Sequence, residues 1–314
     1  MVANSNIANF FWIGELTIYE VFCINSFLKN GFKVNLWSYQ DDLDKNLFDN
    51  NNNLDILYAG EIVDLNVLFK FKQDSQKYSI SSFTNLFRYK LLKQNHGWWF
   101  DTDCLCLKNV SYFQELVSQK DFVLGREEDK KYGTLVNGSV MYLRDVQMID
   151  WFIDYIEDKL KDENVNFYWG EIGPNLITKK LKDDDKYLDT EETNIFYPID
   201  ASSFELLFSN NKKNVDYLEN ITENSYVIHL WNEVTRRHFI NKNKLPPKNS
   251  FLYKKFLDIK KNHKYVTNYY FLFFRFHPFV SKFYRLAFRI NNYFTSPINP
   301  QNLQLIKEKY EKQR

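Results

Sequence analysis

The chain has 314 residues, of which 44% are apolar and 26% are charged, a composition that excludes disordered, collagen-like and disulfide-dependent miniprotein classes. The 41 Lys and Arg residues balance 40 Asp and Glu residues, so the formal net charge is +1. A general nucleic-acid-binding protein usually carries a basic excess. We therefore expect no nucleic-acid partner.

The three cysteines, Cys23, Cys104 and Cys106, form an odd set that lacks the spacing of a zinc site. They predict a reducing compartment and no disulfide framework. The first twenty residues lack the basic start and apolar stretch of a secretory signal. No segment reaches about 18 uninterrupted apolar residues, so no transmembrane helix is expected.

Short apolar segments alternate with helical patterns along residues 1–258. In chain order, the sequence predicts a strand at 10–13, a helix at 15–29, a strand at 32–39, a helix at 82–94, strands at 98–100, 122–124 and 136–143, a helix at 146–160 and a strand at 226–231. Strands that alternate with helices are typical of layered α/β domains with a largely parallel sheet. We therefore predict an α/β domain over residues 1–258.

The remaining residues, 259–314, have a different composition. Residues 259–307 contain no Asp or Glu and eight Lys or Arg, so the rest of the chain carries 33 basic against 40 acidic residues. Cationic and apolar side chains recur there on separate helical faces, the first at Arg275, Lys282, Arg285 and Arg289 and the second at Phe279, Phe283 and Leu286. A basic, aromatic helix of this kind is typical of a membrane-surface anchor. A helix that packs on the main domain is the alternative.

An acidic pair follows the aromatic strand at 98–100. Asp101 and Asp103 are separated by Thr102, and residues two apart in an extended chain point the same way. Two such carboxylates suit Mg²⁺ or Mn²⁺ together with phosphate oxygens of a substrate. The metal would neutralise charge on a diphosphate leaving group. Loss of either carboxylate is expected to relieve like-charge repulsion without unfolding the domain.

Residues upstream extend this motif to a pattern of about 25 residues. In order they are Ser82, Asn85, Arg88 and Tyr89 on a helix, His96 and Gly97 at a turn, the Trp-Trp-Phe strand, Asp101 and Asp103. The pattern closely resembles the DXD-motif glycosyltransferases of family 32, which include bacterial capsule and lipopolysaccharide enzymes and, distantly, the clostridial glucosylating toxins. The resemblance implies a GT-A-type nucleotide-sugar-binding fold over residues 1–258, followed by a helical, basic and aromatic extension over residues 259–314.

The resemblance also implies residues that bind the donor. Trp12 would stack on the uracil of the donor, with an ordinary core tryptophan as the alternative. Arg88 and Asp101 would contact the diphosphate or sugar, and the planar arginine suits bidentate contact; a surface salt bridge is the alternative for Arg88. Asn137 would lie near the donor sugar, unless it forms a β-turn with Gly138.

One donor position departs from the family pattern. Asn85 stands where the family has an acidic residue that accepts hydrogen bonds from sugar hydroxyls. An asparagine carries no charge and also donates. Either the sugar preference differs, or the alignment is one residue out.

The metal and acceptor positions come from two later segments. Alternation along the strand at 226–231 places His229 and Trp231 on one face. The resemblance implies that His229 is a third metal ligand beside Asp101 and Asp103, and that Trp231 covers the diphosphate. For His229, a purely structural role is the alternative. Glu171, in Trp-Gly-Glu-Ile-Gly-Pro, would orient the acceptor hydroxyl, or else would serve as a carboxylate at a helix N-terminus.

We therefore expect a metal-dependent retaining glycosyltransferase in which Arg88, Asp101, Asp103 and Glu171 are catalytic. With Mn²⁺ or Mg²⁺ it would move a hexose from a nucleotide-diphosphate sugar, UDP favoured, to a glycan or lipid-linked saccharide in bacterial surface polysaccharide synthesis. The extension would hold it on an anionic membrane, peripheral on the cytoplasmic face.

Two other functions stay open. A host-protein-directed glucosylating effector would use the same scaffold. A catalytically inactive carbohydrate- or membrane-binding module is supported by Asn85 alone, and the presence of Arg88, Asp101, Asp103 and Trp231 counts against it.

Overall fold

The computed structural model describes residues 4–49, 51–73, 77–94, 97–130, 132–238, 240–259 and 308. The strands in this part are β1 (Ile7–Phe11), β2 (Lys33–Ser38), β3 (Leu54–Tyr58), β4 (Lys72–Gln73), β5 (Lys77–Tyr78), β6 (Trp98–Phe100), β7 (Cys104–Cys106), β8 (Phe122–Asp129), β9 (Gly133–Leu143) and β10 (Val227–His229). The helices are α1 (Ile18–Lys29), α2 (Leu65–Leu68), α3 (Ile80–Lys93), α4 (Val110–Leu116), α5 (Val146–Lys159), α6 (Pro174–Asp183), α7 (Thr193–Phe196), α8 (Lys212–Ile221), α9 (Asn232–Arg237) and α10 (Phe251–Ile259).

A mixed sheet in the order β3-β2-β1-β6-β9-β8 lies at the centre of the described residues. β3, β2, β1 and β6 run parallel, whereas β9 runs antiparallel to both β6 and β8. The chain goes from β1 to β2 on one side and returns to β6 on the other, which makes a topological switch point between β1 and β6. Ligands of open α/β sheets bind outside the carboxyl ends of strands at such a point.

Alternation along the strands separates two hydrophobic cores on opposite faces of the sheet. In β6, Trp98 and Phe100 belong to one core and Trp99 to the other, and in β9 the neighbours Tyr142 and Met141 divide in the same way. Helices α1, α8 and α10 contribute to the first core, and α3, α5 and α6 to the second. The result is a sheet between two helical layers, so the predicted α/β class is confirmed.

A second, smaller ladder lies beside the main sheet. β7 and β10 pair antiparallel, with His229 opposite Cys104. β7 begins directly after Asp103, and therefore this pairing brings two segments of the candidate site together although they are far apart in sequence.

The predicted boundaries fit closely at β6 and α5, whereas the strand predicted at 10–13 is β1, which lies three residues earlier at its start and two at its end. The strand at 98–100 is β6, and the helix at 146–160 is α5, which ends one residue earlier. The strands predicted at 122–124 and 136–143 are parts of the longer hairpin β8–β9, because the polar residues 126–129 continue the ladder. The strand predicted at 226–231 is only β10.

Helix α10 closes the described part of the domain. The Phe256 ring stacks on Phe22 at 4.5 Å and meets Tyr19 edge-on at 5.1 Å. The boundary predicted at residue 258 falls in the last turn of this helix, and the predicted extension lies outside the described residues apart from Ile259 and Glu308. Among the described helices, none has both the length and the apolarity needed to cross a bilayer.

Candidate active site

A cavity of about 520 Å³ opens at the carboxyl ends of β1 and β6, within the size range of small-molecule sites. Its lining includes every residue proposed for the site from the sequence, namely Trp12, Asn85, Arg88, Asp101, Asp103, Asn137, Glu171, His229 and Trp231. The fold therefore brings all nine together at the switch point, and their individual roles stay predictions.

The segment of Asp101 and Asp103 is a turn and not an extended chain. β6 ends at Phe100, and the Cys104 N–H donates to the Asp101 carbonyl at 3.0 Å before β7 begins. The expectation that both carboxylates point the same way from an extended strand is therefore wrong. The turn gives each carboxylate its own partners.

Asp101 is held by donors from two elements. Its Oδ1 accepts a hydrogen bond from Trp99 Nε1 at 2.7 Å and an ion pair from Arg88 Nη2 at 3.2 Å. Its Oδ2 makes no hydrogen bond to the described residues and lies in a side chain that is 31% exposed. One oxygen is thus fixed in place, and the other is available to a ligand.

Arg88 reaches Asp101 from α3. Its Nη1 also donates to the Gly138 carbonyl in β9, and the guanidinium lies 5.0 Å from the centre of the Trp99 ring. The side chain is buried, and hence the exposed salt bridge given above as the alternative for Arg88 does not describe it. The arginine instead ties α3, β6 and β9 together at the floor of the cavity.

Asp103 is buried and binds three groups across the β7–β10 ladder. Its Oδ1 lies 3.1 Å from His229 Nε2, its Oδ2 accepts from the Asn232 N–H at 2.7 Å, and its carbonyl accepts from the Leu230 N–H at 2.9 Å. Asp103 is therefore bound to the first turn of α9 as well as to His229.

The pKa values of this pair move in opposite directions. Burial alone raises the pKa of Asp103, but the charge and hydrogen bond of His229 and the Asn232 amide outweigh it, so the pKa lies below its ordinary value. Burial lowers the pKa of His229, but the neighbouring Asp103 carboxylate raises it above its ordinary value. Each side chain therefore favours the charged form of the other across their hydrogen bond.

The donor atoms of Asp103 and His229 fit one divalent cation. Two ligand atoms bound side by side to an octahedral ion with bonds of about 2.1 Å are separated by about 3.0 Å, close to the 3.1 Å observed. Metal binding would compete with protonation of both groups, since carboxylate and imidazole bind metals in their deprotonated forms. His229 Nδ1 has no hydrogen-bond partner in the described part of the chain, so the outer support common for metal-bound histidines is missing there.

Cys104 completes a cluster with Asp103 and His229 in which the ligand atoms lie within 4.8 Å of one another. Sequence spacing gave no reason to include it. Burial raises the pKa of its thiol well above the ordinary value, and the Sγ lies 3.5 Å from the Ser139 carbonyl as a donor. A neutral thiol is a poor ligand for the oxygen-preferring ions Mg²⁺ and Mn²⁺.

Asn137 lies inside β9 and not in a β-turn. Its Nδ2 donates to Glu127 Oε2 at 2.7 Å, and its Oδ1 accepts from the Ser139 N–H at 2.7 Å. Glu127 is buried, lines the cavity and has a pKa raised by burial. Sequence reasoning missed Glu127, although alternation continued through residues 122–129 would have placed it in a strand.

The two tryptophans differ in their surroundings. Trp12 follows β1, and the Lys242 ammonium lies 5.9 Å from its ring; its Nε1 is buried without a hydrogen-bond partner in the described residues. Trp231 has a left-handed backbone with φ of 55°, so strand alternation does not reach it. The His229 and Trp231 rings are nevertheless 4.2 Å apart, and Trp231 Nε1 donates to the Ile199 carbonyl. Positive φ at a bulky residue is strained and is often found at functional sites.

Glu171 is buried and already has two partners. Its carboxylate pairs with Lys159 Nζ at 2.6 Å and accepts from the Tyr168 N–H at 3.1 Å. These contacts fix the loop before α6. They favour a positioning role over direct contact with an acceptor hydroxyl.

Asn85 is half-buried in the wall of the cavity, where its Nδ2 donates to the Ser81 carbonyl at 3.1 Å. A Cβ atom added at Gly173 would lie 3.2 Å from Asn85 Oδ1, so α3 and the start of α6 meet closely here. Asn85 therefore lies at the cavity, where a residue that contacts the donor sugar was expected.

Residues 157–257 match the model of a family described as "Alpha 1,4-glycosyltransferase conserved region". The match supports a glycosyltransferase, and the expected enzyme class is confirmed. It spans less than half of the chain, includes Glu171, His229 and Trp231, and does not reach residues 82–107, on which the family 32 resemblance rests. No curated protein matches the chain.

One similar solved structure is named "PaToxG Glycosyltransferase". It is 12% identical, with a TM-score of 0.39, and the match covers 71% of this chain and 88% of that chain. A likeness of this degree carries no argument about the reaction.

Proposed function

We propose that this chain is a metal-dependent, retaining glycosyltransferase of the GT-A type that transfers a hexose from a nucleotide-diphosphate sugar, UDP favoured, to a saccharide. The observation that carries the proposal is the 3.1 Å separation of Asp103 Oδ1 and His229 Nε2 beside Asp101, in a cavity at the switch point of the sheet. The sheet order and the matched glycosyltransferase region support it.

Asp103 and His229 would hold Mn²⁺ or Mg²⁺, with Asp101 Oδ2 as a third ligand directly or through water. When bound, the metal supplies positive charge that stabilises the departing diphosphate. Arg88 holds Asp101 and the Gly138 carbonyl in place, and Asn137 and Asn85 offer hydrogen bonds to the sugar. Trp12 would stack on the base, and Trp231 would shield the diphosphate from water.

Retention is proposed from the linkage that the description of the matched family names. The matched family is described by an α-1,4 linkage, and an α product from an α-linked donor keeps the anomeric configuration. We propose no covalent nucleophile among the described carboxylates. Catalysis would therefore depend on positioning and charge stabilisation.

The acceptor would be a glycan or lipid-linked saccharide in bacterial surface polysaccharide synthesis. The enzyme would work in the cytoplasm, held at the inner face of the membrane by residues 259–314.

The test is turnover of a panel of UDP- and GDP-sugars by wild type with Mn²⁺, with EDTA, and after Mn²⁺ is restored. We expect turnover that EDTA stops and Mn²⁺ restores. Asp103→Asn, which keeps the size of the side chain, should lower turnover by more than about a hundredfold. Asp183→Asn, at an exposed ion pair with Lys179 on α6, is the matched control and should be unaffected.

Turnover that persists in EDTA, or in Asp103→Asn at the wild-type rate, would contradict the metal site. No turnover of any nucleotide sugar would favour the inactive module. Transfer to proteins but not to saccharides would favour the effector.

A further inference from the structure

Two exposed aromatic side chains, Tyr132 and Trp169, stack on each other and form a platform beside the cavity that Trp169 lines. Their ring centres are 5.4 Å apart and their planes are inclined by 21°, and Tyr168 is the neighbour of Trp169 in sequence. The exposed fractions of Tyr132, Trp169 and Tyr168 are 45%, 41% and 57%. Such a cluster next to a cavity marks a binding surface more strongly than scattered exposed residues do.

The platform is built from two separate segments and is held in place. Tyr132 lies in the turn between β8 and β9, where its N–H donates to Asp129 Oδ1 at 2.9 Å. Tyr168 and Trp169 lie in the loop before α6, which Glu171 fixes through the Tyr168 N–H and Lys159. Exposed rings that are fixed in this way lose little conformational entropy when they bind a ligand.

The chemistry around the rings fits a sugar. A pyranose has faces of C–H groups and a rim of hydroxyls, and the negative face of an aromatic ring attracts the C–H groups. Glu128 and Asp129 line the same cavity as Tyr168 and Trp169, and carboxylates accept hydrogen bonds from hydroxyls. The same carboxylates would repel the anionic headgroups of a membrane.

From these observations we infer that the stacked rings of Tyr132 and Trp169 form the subsite that binds a saccharide ring of the acceptor. This inference rests on the proposed function, because the cavity beside the platform is taken to hold the sugar donor. It gives Glu171 a positioning role, through the loop that presents Trp169.

The test is saturation-transfer NMR on the full chain with four probes: methyl β-glucoside, methyl β-galactoside, lactose and cellobiose. We expect wild type to bind at least one probe, with saturation concentrated on the C–H protons of one ring face. Trp169→Ala should weaken that binding by about tenfold, and Trp169→Phe should restore most of it. Tyr217→Ala, at an aromatic side chain that is 53% exposed on α8, is the matched control and should bind as wild type does.

Binding of none of the probes by wild type would overturn the inference, and so would unchanged binding in Trp169→Ala or an equal loss in Tyr217→Ala. If Trp169→Ala fails to fold, as judged from its melting temperature, Tyr132→Ala takes its place with the same expected loss. Pelleting with anionic vesicles that depends on Trp169, without saccharide binding, would assign the platform to a lipid surface. The NMR experiment measures saccharide binding and needs no turnover. Failure of the proposed function would instead appear as no turnover of nucleotide sugars, so the two failures can be distinguished.

Discussion

Arg88 is the side chain that joins the elements of the candidate active site. Its guanidinium contacts the Gly138 carbonyl and Asp101 at once and lies against Trp99. A planar guanidinium with several donors can make these contacts together, whereas the point charge of a lysine cannot. Arg88 therefore determines how Asp101 is presented to the cavity.

We expect Arg88→Lys to lower kcat/KM for the nucleotide-sugar donor by about tenfold or more, because at least one charge-assisted hydrogen bond is lost. The measurement is donor turnover with Mn²⁺. Arg144→Lys, at an exposed arginine beyond the other end of β9, controls for the substitution itself. Wild-type kinetics in Arg88→Lys would show that the position of Asp101 does not depend on the guanidinium.

The two carboxylates of the motif do not behave as a repelling pair. Trp99 and Arg88 bind Asp101, and His229 and the Asn232 amide bind Asp103. Removal of either carboxylate would leave buried donors unpaired, which costs stability. The expectation of relief from like-charge repulsion is therefore wrong, and Asn is a better substitution than Ala for testing function.

At the scale of elements, Gly97 determines how the chain enters β6. Its φ is +99°, and an added Cβ would lie 2.5 Å from the Asn4 carbonyl and 2.7 Å from the Ile7 carbonyl. Gly133 also has a positive φ, of +75°, but has nothing within 4 Å of an added Cβ. A comparison of substitutions at these two glycines therefore distinguishes the cost of a left-handed backbone from the cost of a steric clash.

Gly97→Ala and Gly133→Ala should both lose roughly 1–2 kcal/mol of unfolding free energy for the left-handed backbone. We expect Gly97→Ala to lose clearly more, since a backbone clash is added. Urea denaturation of the two variants measures the difference. Equal losses would mean that the contact with residues 4–7 relaxes at no cost.

Asp145 caps the N-terminus of helix α5 and links it to Lys186. Its Oδ1 accepts from the Met148 N–H at 3.0 Å, and its Oδ2 pairs with Lys186 at 2.9 Å. Burial alone raises the pKa of Asp145, but the hydrogen bond from Lys186 and the amides of α5 outweigh it, so the pKa lies below its ordinary value. The ionised form thus stabilises the folded state.

A depressed pKa stabilises the fold fully above the pKa of the unfolded chain, about 3.9, and this contribution is lost as the pH falls through the lower folded-state pKa. Asp145→Asn keeps the cap and loses the charge. We expect it to be less stable than wild type at pH 7 and to approach wild type near pH 3. Asp145→Ala should cost about 1 kcal/mol at pH 7. Urea denaturation at several pH values measures the difference in unfolding free energy between wild type and Asp145→Asn. A difference that stays constant with pH would refute the ionic contribution.

The sequence predicted those elements whose own residues show a clear apolar pattern. Trp98, Trp99 and Phe100 alternate between two cores, and β6 was accordingly predicted to the residue. β7 and β10 have three residues each. A strand this short is not long enough to show an alternation of apolar and polar residues. Glu127 escaped notice because a charged segment resembles a loop until its partner strand is known.

At the scale of the whole molecule, the composition still divides the chain near residue 259. Residues 259–307 carry eight basic and no acidic side chains. Each Lys or Arg near an anionic membrane gains about 1 kcal/mol. Sequence alone supports this part of the proposal, since the extension lies outside the described residues.

We expect the full-length protein to pellet with anionic liposomes at low salt, to be released by high salt, and to ignore neutral liposomes. Replacement of Lys282, Arg285 and Arg289 by Gln in the full chain should weaken pelleting. A chain ending at residue 259, which keeps all of α10, should stay in the supernatant. If the full-length protein ignores anionic liposomes, the extension is better explained as a helix that packs on the domain.

The nine site residues could be named from the sequence because family resemblance supplies what local pattern lacks. Arg88 and Asp101 lie close in sequence, but His229 meets Asp103 only through the β7–β10 ladder. The partners of each residue were not predictable, since the turn at 101–103 and the left-handed Trp231 depend on contacts distant in sequence.

The β7–β10 ladder has a consequence for the order of synthesis. The bond between His229 and Asp103 spans 126 residues, and contacts of such long range form late because loop closure must come first. A nascent chain still lacking β10 carries the Asp101 and Asp103 carboxylates without the imidazole and without the amides of α9. Under the proposed function, a chain that stops before β10 could not complete its metal site and would therefore consume no nucleotide sugar.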